Sequence, residues 1–96
     1  MTARFDEEIH APVRLRICGM LAAVKDMDFA TIRDNLGVAD SVLSKHLARL
    51  TDLGYATTWK TNARGRARVW VALTPAGRVA FADHIEAVRQ IATGTS

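Results

Sequence analysis

Between Gly54 and Pro75 the apolar residues change their period, and this change bounds what the chain can fold into. Ahead of it, Leu43, Leu47 and Leu50 recur at helical spacing and form one seam. Inside it, ATTWK and ARVWVALT alternate, as half-buried strands do. Beyond it, Phe81, Ile85, Val88 and Ala92 return to a 4-3-4 spacing that resembles a coiled-coil seam. The expectation is a mainly α chain interrupted by one small β-hairpin. Its 96 residues suit one domain spanning 1–96.

The helical part divides at its breakers. PVRLRICGMLAAVKD predicts a helix over about 12–25, with Pro12 at its first position. Val13, Ile17, Met20, Leu21 and Val24 line one face, while Leu15, Cys18 and Ala22 make a second, weaker strip. A core this small needs one strip, so the second is expected to meet a partner subunit. After the Asp26-Met27-Asp28 break, FATIRDNLG predicts a short helix over about 30–36, closed by Gly37. VADSVLSKHLARLTDLG predicts a third over about 40–53, with Asp40 as its N-cap.

The hairpin is expected over about 56–73, its strands joined by TNARGR. Ala56, Thr58, Val69, Val71 and Leu73 should face the core, which turns Arg66 and Arg68 away from it and sets Arg64 near the tip. Trp59 and Trp70 fall on the outer face as a cross-strand pair. Thr74 and Pro75 open a last helix over about 75–92, and the closing TGTS is expected to fray.

Charge is unevenly spread. Lys45 to Arg78 holds seven basic residues against Asp52 alone, a balance of +6, whereas the rest holds six basic and nine acidic residues, a balance of −3. A basic middle joined to acidic ends suits a polyanionic partner. No apolar run approaches the ~20 residues that span a bilayer, so no membrane role is expected. The opening MTARFDEEIHAP carries three acids ahead of any apolar stretch and is not read as a signal peptide. The single cysteine excludes an internal disulfide framework and suits a reducing, cytoplasmic setting.

Two helices joined by Gly37-Val38-Ala39-Asp40, the second leading into a basic hairpin, follow the order of a winged helix-turn-helix. With Leu43, Leu47 and Leu50 buried, the exposed face of the third helix carries Ser41, Ser44, Lys45, Ala48 and Arg49. Small residues there let the backbone approach a groove floor, and Lys45 can reach base edges or phosphate. The stretch from Pro12 to about Val88 resembles small regulators of the MarR/ArsR type, through PVRLRI, DFATIRDNLGVADSVLSKHLARLTDLGY and LTPAGRVAF. That resemblance implies a homodimeric transcription regulator of double-stranded DNA, a repressor. It assigns recognition to Ser41, Val42, Ser44, Lys45 and Arg49, and backbone or minor-groove contact to Arg64, Arg66 and Arg68; Lys60 of the hairpin is expected among the DNA-binding residues beside them. The dimer interface is expected from Leu15, Cys18, Ala22, Phe81, Ile85, Val88 and Ala92. This chain has little room for the extra terminal dimerisation helices of MarR proteins.

Other chemistries find little support. His10, His46 and His84 lie on separate elements without ligand spacing, so neither a metal nor another cofactor is expected. Ser41, Ser44 and His46 lack an orienting acid, and no nucleophile elbow or phosphate loop is present, so no enzyme is expected. Cys18 reads as an inert apolar residue ahead of a sensor thiol. A cavity between the first and last helices would suit a small apolar effector that nothing in the sequence identifies. The competing reading is a winged helix used as a protein-interaction module, which needs no basic recognition face.

Overall fold

The computed structural model describes residues 3–94. Its elements are α1 (Glu7–His10), α2 (Pro12–Ala22), β1 (Met27–Asp28), α3 (Phe29–Leu36), α4 (Asp40–Asp52), β2 (Ala56–Ala63), β3 (Arg66–Leu73) and α5 (Pro75–Thr93). The strands form one antiparallel sheet in the order β1-β3-β2. Helices α3 and α4 make the helix-turn-helix, and the β2–β3 hairpin is the wing. The hairpin carries the molecule to 53 Å along its long axis, against 25 and 21 Å across.

The core sits between α2, α3, α4 and the base of the sheet. Ile17, Leu21, Ile32, Leu43, Leu50 and Val71 are wholly enclosed. The alternation of β3 delivers Val71 and Leu73 to this core, and Ala56 joins them from β2, where it pairs with Leu73. Thr58, expected to face inward, pairs with Val71 but stays exposed, in the wall of an open groove between the hairpin and α4.

Helix α1 has no counterpart in the periodicity, since four residues show no period. It is held by the Asp6 carboxylate, which accepts from the N–H groups of Glu8 and Ile9 at 2.9 and 3.1 Å. The Tyr55 hydroxyl donates to the same carboxylate at 2.6 Å. Ile9 is thereby buried in the same cluster as Ile17 and Cys18. This corrects the expected interface: Cys18 is fully enclosed in the chain's own core, and Leu15 packs half-buried against that core. Of the second α2 strip only Ala22 is exposed.

Four further boundaries differ from expectation, the first being the end of α2, at Ala22 rather than about 25. The Asp26-Met27-Asp28 break contains β1, whose two residues pair with Val71 and Trp70. The N-cap of α4 is Ala39, and Asp40 is the first helical residue. There its carboxylate takes Arg33 at 3.0 Å while its charge sits favourably at the helix start. The wing turn is only Arg64-Gly65, both at positive φ (53° and 73°), a two-residue reversal whose twist suits the flanking strands. At the other end, α5 runs to Thr93 and closes on Gly94, whose N–H reaches the carbonyls of Gln90 and Ile91. Thr95 and Ser96 lie outside the described residues.

Candidate nucleic-acid interface

Burial of Leu43, Leu47 and Leu50 leaves Ser41, Val42, Ser44, Lys45, Ala48 and Arg49 on the open face of α4. Arg33 locks the start of this helix through Asp40, and Val38 packs from the turn onto the core. The first turns of α4 therefore project from a fixed base, with small or hydroxyl side chains leading.

The register of the wing sorts its side chains by face. Directly paired residues share a side of an antiparallel sheet. Trp59 pairs with Trp70, Thr61 with Arg68 and Ala63 with Arg66. These occupy the outer face, where the Trp70 indole N–H donates to the Thr61 hydroxyl at 2.8 Å. Lys60 pairs with Val69, on the opposite face. That face runs into a groove lined by Thr58, Val69, Ser44, Leu47 and Ala48, between wing and α4. The expected wing cations thus stand on both faces, with Lys60 on the α4 side, Arg66 and Arg68 on the outer side, and Arg64 in the turn.

Ion pairing ties down some cations and leaves others free. Arg33, Arg14 and Arg89 are paired with carboxylates. Among the described residues, Lys45, Lys60, Arg64 and Arg66 have no such partner, nor do Arg16 and Arg78, which donate to backbone carbonyls instead. Arg68 is intermediate: it lies close enough to Asp28 to help lower that carboxyl's pKa, after the larger effect of the Thr31 hydroxyl. Arg49 departs from expectation. Its guanidinium donates two hydrogen bonds of 2.8 Å to the Glu8 carboxylate of α1. Sequence reasoning missed Glu8, for it lies 41 positions from its partner on an element without a periodic signal.

His46 flanks this pair. Its Nδ1 lies 3.0 Å from an Arg14 guanidinium nitrogen, and burial, then the charges of Arg14 and Lys45, lower its pKa. His84 is wholly buried: its Nδ1 accepts the Asp6 N–H at 2.9 Å, and its Nε2 lies 3.1 Å from His10 Nδ1. Among the described residues no three His, Cys, Asp or Glu side chains are grouped to hold a metal ion. Burial, with the Asp6 charge, pushes the Cys18 thiol up to about 11, which suppresses the reactive thiolate. The cavity expected between the first and last helices is instead a cleft of about 500 Å³ beside the start of α5, lined by Arg4, Tyr55, Pro75, Val79, Ala80 and Asp83. Among the described residues, no helix is long and apolar enough to cross a membrane.

The remaining members of the expected interface lie on α5. Ile85 and Ala92 are exposed, Val88 is half-buried, and Phe81 packs on the core. Ile91 adds an exposed apolar side chain that the 4-3-4 spacing omitted.

A family model for a winged helix DNA-binding domain matches residues 13–92. An uncharacterised protein of Methanocaldococcus jannaschii is 30% identical over 79 residues, covering 82% of this chain and 86% of its own. A transcriptional regulator homologue from Pyrococcus horikoshii superposes with a TM-score of 0.88 at 25% identity, over 93% of this chain and 88% of that one. A MarR family transcriptional regulator from Silicibacter pomeroyi shares the fold with a TM-score of 0.72 at 23% identity, over 92% of this chain and 58% of its own.

Proposed function

Since this chain belongs to the winged helix DNA-binding domain family, we propose that it is one domain acting as a homodimeric, sequence-specific regulator of transcription, a repressor. The observation that carries this reading is where unpaired charge projects. Lys45 on the open face of α4 and Lys60, Arg64 and Arg66 on the exposed wing lack carboxylate partners among the described residues. Free cations on a projecting helix and hairpin suit a polyanion whose groove receives the helix.

In this reading Ser41, Val42, Ser44 and Lys45 meet base edges in the major groove, where small side chains permit close approach. Arg64, Arg66, Arg68 and Lys60 follow the backbone or enter the minor groove, supplying affinity more than base choice. Two copies join through Ile85, Val88 and Ala92 of α5, with exposed Ile91 and Ala22 alongside. A two-fold pair of this kind reads half-sites about 10 bp apart, or a multiple of one turn. The cleft beside Tyr55 and Val79 is the place for an effector.

Selection of bound duplexes from a random pool tests the reading. Enrichment of an inverted repeat with that spacing is the expected result. Retention of every sequence alike would point to non-specific binding, and no retention would leave the protein-interaction module as the better account.

A further inference from the structure

Glu8 of α1 lies against Arg49 on the open face of α4, the helix assigned to DNA in the reading above. Its carboxylate is held bidentately by Arg49 from α4, and Arg14 of α2 approaches it at 3.6 Å. Arg14 also donates to the Glu8 carbonyl at 2.6 Å and lies 3.0 Å from His46 Nδ1. Lys45 stands one turn before Arg49, on the edge of the same shallow depression, with Asp52 at its rim. Arg14, Lys45 and Arg49 thus bring three positive charges against Glu8 and Asp52. Planar guanidinium paired twice to a planar anion is the geometry by which arginine also holds phosphate.

We propose that Arg14 and Arg49 form a phosphate site, and that Glu8 is its resident anion, displaced by a backbone phosphate when DNA docks. The proposal rests on the DNA-binding reading and deepens it, by making Glu8 a competitor that sets affinity. The contact is built to exchange. Both side chains are substantially exposed, where an ion pair is worth little. Helix α1 is meanwhile anchored independently, by Asp6 to Tyr55, by the Asp6 N–H to His84 and by buried Ile9. Glu8 can therefore release Arg49 without unfolding its helix. In the closed form Arg49 contributes no released counterion. Once Glu8 is displaced it does, at the cost of the lost pair.

Glu8→Gln and Glu8→Gln/Arg49→Ala, with the wild type, test this on an enriched duplex across a salt series. Glu8→Gln is expected to bind roughly tenfold tighter near 0.1 M salt with close to the wild-type salt slope, because the same phosphates are neutralised in both complexes. Adding Arg49→Ala removes the gain in affinity and lowers the slope by about 0.9 per protomer. Unchanged affinity in Glu8→Gln, beside a wild type that binds, overturns the site and leaves the DNA-binding reading intact. A titration with inorganic pyrophosphate, followed at the Arg49 Nε–Hε resonance, judges the site without DNA. A shift in Glu8→Gln at concentrations that leave the wild type unmoved supports it, and no shift in either overturns it, whether or not any duplex is bound. Retained far-UV circular dichroism and a cooperative melt establish that each variant is folded.

Discussion

A Cβ on Gly77 would come within 2.0 Å of the Tyr55 carbonyl oxygen and 2.8 Å of its carbon. The first turn of α5 therefore lies on the backbone at the start of β2. Around this contact the Thr74 hydroxyl accepts the Gly77 N–H at 3.0 Å and donates to the Gly54 carbonyl at 2.6 Å, while the Thr74 N–H reaches the Tyr55 carbonyl at 3.0 Å. Gly77→Ala is expected to cost about 3 kcal/mol or more, because the obstacle is backbone and cannot swing away. For a domain of this size the melting temperature would fall by roughly 12 °C or more. Gly19→Ala is the control, for its Cβ meets only the Phe81 ring, at 3.8 Å. That variant gains roughly 0.5–1 kcal/mol in an α-helix. Equal melting of the two variants would show that the corner is not built in this way.

Stability is expected to decline on mild acidification. Burial, then the neighbouring His10, lowers the His84 pKa below its ordinary 6.5, against the opposing charges of Asp6 and Glu7. A histidine held neutral in the fold contributes stability that is complete above the unfolded value near 6.5 and is lost as pH falls through the lower folded value. Protonation at Nδ1 would remove the acceptor of the Asp6 N–H and loosen α1. His46 adds a change of the same sign. Asp6 acts in a separate window, below 3.8, where burial raises its pKa but the Tyr55 hydroxyl and the N–H groups of Ile9 and Glu8 lower it further. Denaturant midpoints between pH 7.5 and 5 are thus expected to fall in the wild type and to fall less in His84→Asn, whose Oδ1 keeps an acceptor for Asp6. Parallel profiles would remove His84 from the account.

Ile85 is 43% exposed on a helix whose inner face is already filled by Gly77, His84 and Ala87. Ile85→Asp is expected to leave the fold intact, to sediment as a monomer at micromolar concentration, and to bind DNA far more weakly. A variant that remains dimeric would move the interface elsewhere.

Much of this was legible in the sequence, and the losses have particular causes. The Leu43-Leu47-Leu50 seam is strictly periodic, so the exposed face of α4 followed from it. Alternation along ARVWVALT placed Arg66 and Arg68 away from the core, as the pairing of β3 with β2 bears out. Alternation along β2 likewise sets Lys60 on the face of Ala56 and Thr58, where its pairing with Val69 places it. Helix α1 and strand β1 were missed because four and two residues are too short to carry a period. Missing α1 had a consequence: the second strip of α2 looked available to a partner, although Cys18 is covered within the chain. It also hid Glu8, so Arg49 was read as free.

The wing is expected to act through charge. Each phosphate neutralised contributes about 0.9 to the slope of log affinity against log salt. Replacing Arg64, Arg66 and Arg68 with Gln in both protomers removes up to six contacts, a fall of at most about 5. The fall is expected to be smaller, since Arg68 already lies in the field of Asp28. Folding should be unaffected, because all three side chains are exposed. A folded, dimeric variant with the wild-type slope would take the wing off the DNA.

The most direct measurement of the central claim compares an enriched duplex with its scrambled counterpart, for the wild type and Lys45→Ala, by fluorescence anisotropy at 0.15 M salt. The wild type is expected to prefer the enriched duplex by about 10³-fold or more. Lys45→Ala is expected to lose about 1–3 kcal/mol on that duplex and little on the scrambled one, with discrimination relaxed at one base pair of each half-site. Equal wild-type affinity for the two duplexes, with Lys45→Ala weakening neither, would contradict the reading of α4 as the helix that recognises DNA.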